Sequence, residues 1–184
     1  MRRLEVRIAG FGGQGVVLAG VLLGHAAATH DHKRAVQTQS YGSEARGGAA
    51  RSEVIIADEP IDYPKVISAD IMVAMSQEAL NKYLKDVKPG GTVLTDSDLT
   101  QDVHEGSNMR LYKVPATRIA SQEFGSRVVA NVVMLGAMAG LTNVVSEKAL
   151  RSAILENVPK GTEEINLKAL ERGFQTAKGL KREN

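Results

Sequence analysis

The segment GFGGQG at residues 10–15 constrains this chain more than any other. It follows the apolar alternation of LEVRIA and precedes VVLAGVLLGHAAA, where Val, Leu and Ala fall on nearly every helical face. A strand, a glycine turn and a broadly apolar helix form the opening of an α/β unit, because such a helix must be buried against a sheet. Gly10, Gly12 and Gly15 take the three places of G-x-G-x-x-G. Glycines allow the tight turn, and the helix N-terminus offers unpaired N–H groups to an anion. A dinucleotide site also needs an Asp or Glu closing the second strand, about 20 residues on. The predicted second strand, RAVQTQS (34–40), ends on Thr38, Gln39 and Ser40, and Asp31 lies before it, at the wrong end of the sheet. Gln14 puts an amide at the mouth of the turn, where an apolar side chain would pack better. Gly12, Gly13, Gln14 and Gly15 therefore read as a contact loop, with plain strand–helix packing as the alternative.

Downstream, strands are predicted at 50–58, 70–75, 92–96 and 110–115, in addition to 4–9 and 34–40. Helices are predicted at 14–29 and 76–87, and from Ala116 onward the pattern is helical: 116–124, 126–141, 146–158 and 162–180. The 184 residues suit a single domain. The expected fold is α/β, with a core at 4–115 made of a largely parallel sheet with helices on both faces, and a helical C-terminal third at 116–180.

A second stretch, SYGSEARGG (40–48), follows the second strand and is expected at the same sheet edge as the glycine loop, where open α/β sheets bind ligands. Arg46 could fork onto a phosphate, a carboxylate or a partner's acid, or pair locally with Glu44 in a surface turn. Asn131 sits amid Val and Met and must be hydrogen-bonded if buried, either bracing a loop or reaching a ligand of an adjoining subunit. Gly136 and Gly140 imply close approach of another backbone, in the core or at an interface.

The chain has no cysteine, which excludes disulfides, thiolate nucleophiles and Cys-ligated iron–sulfur clusters on it. A net charge of +2 and 4% aromatic residues argue against nucleic acid. The longest apolar run, 128–141, is too short to span a bilayer, and Glu5 and Arg7 interrupt any signal peptide, so a cytoplasmic protein is expected. His30 and His32 read as solvated residues at a helix end, and the carboxylates at 96, 98, 102 and 105 as a solvated loop. No catalytic or metal-binding set emerges from spacing alone.

GFGGQGVVLAG, QSYGSEARGGAARSEVII, PIDYPKV, ADIMVA and VANVVMLGAMAG together resemble the gamma subunit of 2-oxoacid:ferredoxin oxidoreductases, from about residue 4 to about residue 175. The resemblance implies an enzyme that oxidatively decarboxylates a 2-oxoacid on thiamine diphosphate, passes electrons through iron–sulfur clusters to ferredoxin and releases an acyl-CoA. It places both cofactors on other subunits, and gives this chain thiamine-binding alpha and beta partners and a ferredoxin-like cluster subunit, with no nucleic acid and no membrane. It implies that Gly12, Gly13, Gln14 and Gly15 touch coenzyme A or an interface. Ser40, Tyr41, Glu44, Arg46, Gly47, Gly48 and Asn131 become partner-binding positions. Which 2-oxoacid is used stays open, as does a homodimer of the isolated chain. A stand-alone Rossmann-like NAD(P) oxidoreductase and a non-enzymatic interaction module are the alternatives. The missing acid counts against the first and the paired glycine loops against the second.

Overall fold

Among the described residues, six strands share one sheet in the computed structural model, which describes residues 3–40, 49–101 and 108–180. The strands are β1 (Leu4–Phe11), β2 (Arg34–Ser40), β3 (Ala49–Ala57), β4 (Ala69–Ala74), β5 (Val87–Asp96) and β6 (Arg110–Val114), in the order β2-β3-β1-β4-β5-β6. β1, β4, β5 and β6 are parallel, and β3 alone is reversed, pairing antiparallel with both β1 and β2. The largely parallel sheet thus carries one inverted strand. Its cause is chain length: a parallel crossover takes a dozen or more residues, and the segment from Ser40 to Ala49 is shorter than that.

The helices are α1 (Val16–His25), continued by a π-helical turn at Ala26–His30, then α2 (Gln77–Tyr83), α3 (Ala116–Phe124), α4 (Ala130–Thr142), α5 (Glu147–Asn157) and α6 (Glu163–Gly179). Serines start two of them: Ser76 Oγ accepts from Ala79 N at 3.2 Å and Ser146 Oγ from Ala149 N at 3.1 Å. One sheet face, with Val6, Ile8, Val54, Ile56, Val73 and Leu94, packs under α1 and α3–α6. The other, with Ala9, Met72, Ala74 and Val93, meets α2 through Ala79, Leu80 and Tyr83. Helices do cover both faces, but unequally.

The thinly covered face is completed by polar contacts. Arg7 is buried, and its guanidinium donates to Glu53 Oε1 at 2.8 Å, Asp86 Oδ2 at 3.0 Å and the Val66 carbonyl at 3.2 Å. Glu5 accepts from the backbone N–H groups of Ile67 and Ser68 at 3.1 and 3.4 Å. The charged positions of LEVRIA are therefore roofed by residues 66–68 and Asp86 rather than left in water.

On the opposite side α4 crosses α6 at its glycines. A methyl at Gly136 would overlap the Leu170 carbonyl, and one at Gly173 the Val133 carbonyl. The close approach expected at Gly136 and Gly140 is thus a contact inside the core. Among the described residues, no helix is long and apolar enough to cross a membrane.

Candidate functional site

The glycine loop joins the end of β1 to the start of α1, and two of its residues have positive φ: Gly13 at 89° and Gly15 at 71°. A β-carbon in that left-handed region is costly, which is why glycine stands at both. Gln14 folds inward between them. Its Oε1 accepts from Phe11 N at 2.6 Å and its Nε2 donates to the Met75 carbonyl at 2.8 Å, so one amide ties the carboxyl ends of β1 and β4 together. Gly10 makes the space, since a β-carbon there would overlap Gln14 Oε1.

Asn131, 3% exposed at the start of α4, braces the loop from the other side. Its Nδ2 donates to the Gly15 carbonyl at 3.0 Å, and its Oδ1 accepts from Val132 N at 2.9 Å. A β-carbon at Gly15 would collide with that amide. With Gln14 and Asn131 engaged beneath, Phe11, Gly12 and Gly13 remain exposed on top. Side chains built at Gly12 or Gly13 would meet nothing within 4 Å, and no side chain caps the first turn of α1. The loop is a rigid, small-residue platform with uncapped helix N–H groups behind it.

β2 runs with β1, so the exposed Ser40 ends on this same edge, and Ala49 re-enters the sheet opposite Phe11. Tyr41, Glu44, Arg46, Gly47 and Gly48 lie outside the described residues, but both points that anchor their segment belong to the glycine-loop edge. The dinucleotide geometry is missing here. β1 lies between β3 and β4, and β2, the next strand in sequence, is separated from it by the antiparallel β3, so among the described residues β2 delivers no acid next to the loop. Asp31 serves elsewhere: its carboxylate accepts from Ser146 N and Oγ, both at 2.7 Å.

Two sequence expectations require correction. Asp96 is not part of a solvated loop but 0% exposed at the end of β5. Its Oδ2 accepts from Thr117 Oγ1 at 2.6 Å and Thr117 N at 3.0 Å, and its Oδ1 from Asp98 N at 3.1 Å. Burial raises its carboxyl above the usual aspartate value, and these hydrogen bonds offset part of that rise. Asp98 instead pairs with Arg118 at 2.7 Å, while residues 102 and 105 lie outside the described residues. Nor do the histidines at the end of the first helix act alike. His32 is exposed, whereas His25 and His30 turn onto Glu156 of α5, a partner that spacing could not reveal because it lies 131 residues beyond His25.

The sequence pattern of the family described as Pyruvate ferredoxin/flavodoxin oxidoreductase matches residues 5–176. The 2-oxoglutarate synthase subunit KorC of Methanocaldococcus jannaschii is 58% identical over 179 residues, covering 97% of this chain and 96% of that protein. The subunit of the same name from Methanothermobacter marburgensis is 54% identical over 93% of this chain and 95% of its own. Among solved structures, the gamma subunit of a keto/oxoacid ferredoxin oxidoreductase from Geobacter sulfurreducens superposes with a TM-score of 0.90 at 43% identity, over 100% of both chains.

Proposed function

The chain belongs to the pyruvate ferredoxin/flavodoxin oxidoreductase family, as a gamma subunit of a multisubunit 2-oxoacid:ferredoxin oxidoreductase, and on that premise we propose that it docks on the catalytic subunits through its glycine-loop edge and serves an enzyme for 2-oxoglutarate. The enzyme reaction consumes a 2-oxoacid, coenzyme A and two oxidised ferredoxins, and yields an acyl-CoA, carbon dioxide, a proton and two reduced ferredoxins. Thiamine diphosphate supplies the carbanion chemistry of decarboxylation from the partner subunits. Clusters must also reside there, because a chain without cysteine offers them no thiolate.

The observation that carries the docking proposal is the inward bracing of Gln14 and Asn131, which leaves Phe11, Gly12 and Gly13 as a fixed, accessible platform. Flat glycine backbone admits a close partner, and Phe11 adds an exposed aromatic surface. Ser40, Tyr41, Glu44, Arg46, Gly47 and Gly48 are further partner-binding positions in this reading, with Arg46 taking an anion of the partner or the ligand. The substrate proposal rests on the two 2-oxoglutarate synthase relatives.

Arg46→Ala in the assembled enzyme provides the test. Losing a desolvated charge-assisted contact should cost roughly 2–5 kcal/mol. Dissociation of this chain on native gels supports docking, and intact assembly with a raised KM for coenzyme A moves the contact to the ligand. Unchanged assembly and kinetics would reject both. The substrate is tested separately, by viologen reduction with 2-oxoglutarate, pyruvate and 2-oxoisovalerate; preference for either of the latter rejects 2-oxoglutarate and leaves the docking surface standing.

A further inference from the structure

We infer that His25, His30 and Glu156 form a site for a divalent transition-metal ion of the zinc class, joining the end of α1 to α5. One ligand atom from each lies within 4.8 Å of the others. His25 Nε2 is 2.6 Å from Glu156 Oε2, and His30 Nε2 is 3.3 Å from Glu156 Oε1. The inference is independent of the family reading, since the cluster stands at the opposite end of α1 from the glycine loop.

The backbone makes this convergence. In an α-helix, residues five apart point about 140° away from each other. Between His25 and His30 the helix widens into a π turn, whose i to i+5 spacing brings both rings onto one side, with centroids 5.5 Å apart. A second observation points to a ligand. His30 Nε2 is buried without a hydrogen-bond partner, because its approach to Glu156 has ion-pair distance but not hydrogen-bond geometry. A buried ring nitrogen left so is unfavourable, and coordination would satisfy it.

Two imidazoles and a carboxylate are the donor set of an open zinc site, with a fourth place for water. Metal–ligand bonds of about 2.0–2.2 Å set neighbouring ligand atoms about 3.3 Å apart in a tetrahedron. The His30 Nε2–Glu156 Oε1 distance already has that value, whereas His25 Nε2 faces the other oxygen, Oε2, so the carboxyl group must turn to present one oxygen to both imidazoles. The Glu156 side chain, 48% exposed, has the freedom to do so.

Zinc chloride titrated calorimetrically into the untagged full chain should bind at one ion per chain. Cobalt(II) in its place should develop the intense visible band of a four-coordinate site. His30→Ala and Glu156→Gln should each weaken binding at least tenfold, while His32→Ala, on an exposed residue outside the cluster, should change nothing. Circular dichroism establishes that the variants fold. In the unmodified chain, zinc should shift the imidazole resonances of two of the four histidines. The inference fails if no zinc binds, if binding survives His25→Ala/His30→Ala unchanged, or if no pair of histidine resonances responds.

Discussion

Arg7 keeps a side chain that is only 4% exposed because three acceptors meet it: Glu53, Asp86 and the Val66 carbonyl. Arg7→Ala takes from the buried Glu53 carboxylate its nearer cation, leaving Arg51 at 3.8 Å, and the expected loss is about 3 kcal/mol, read from urea unfolding of the purified chain. Asp96 gives a test in pH. Its folded-state pKa is raised from the ordinary 3.8, so the native state holds that proton more tightly than the unfolded chain does. The resulting stabilisation is complete below 3.8 and is lost as pH rises through the folded value. Asp96→Asn has no such proton, so the stability gap between wild type and variant should be largest at low pH and shrink above this window. Urea midpoints across that range measure it; a gap that widens with rising pH would show that the hydrogen bonds outweigh burial. Asn131 was legible in sequence, because an amide amid Val and Met needs partners. Asp96 was not, since an Asp beside a turn looks alike whether it caps a loop in water or holds Thr117 within the fold.

Among the elements, helix α4 was visible as an apolar run, and the structure begins it with a 3₁₀ turn at Arg127–Val129, where Ser126 Oγ accepts from Val128 N at 3.3 Å. Its glycines matter most where it crosses α6. Gly136→Ala would drive a methyl into the Leu170 carbonyl, which is backbone and cannot swing aside. The expected destabilisation is about 3 kcal/mol, seen as a lowered thermal midpoint. Glycine spacing announced the crossing, but not which helix would fill it, because Gly173 contributes its half from a distant segment. The reversal of β3 was encoded in a connection too short for a crossover. By contrast, nothing in HAAATH distinguishes a π turn from ordinary helix, since the wider spacing is settled by packing.

At the scale of the whole molecule, the purified chain alone should neither reduce viologen with any 2-oxoacid nor bind NAD(P) in a calorimeter. Activity should return when the other subunits are supplied. Micromolar NAD binding, about −8 kcal/mol, would contradict the strand arrangement beside the loop. The sequence carried the α/β layering through its alternating periods, while the position of β3 between β1 and β2 depended on contacts far apart along the chain. That order has a consequence for a protein waiting for its partners. The outermost strands are β2, with its polar Gln37, Thr38, Gln39 and Ser40, and β6, with Arg110 and Lys113; β3, β1, β4 and β5, which carry most of the sheet's buried apolar side chains, lie inside. Polar and charged borders are poor templates for another chain's backbone. A surplus of unassembled copies should therefore stay dispersed instead of growing into ribbons, which lets synthesis run ahead of assembly without precipitation.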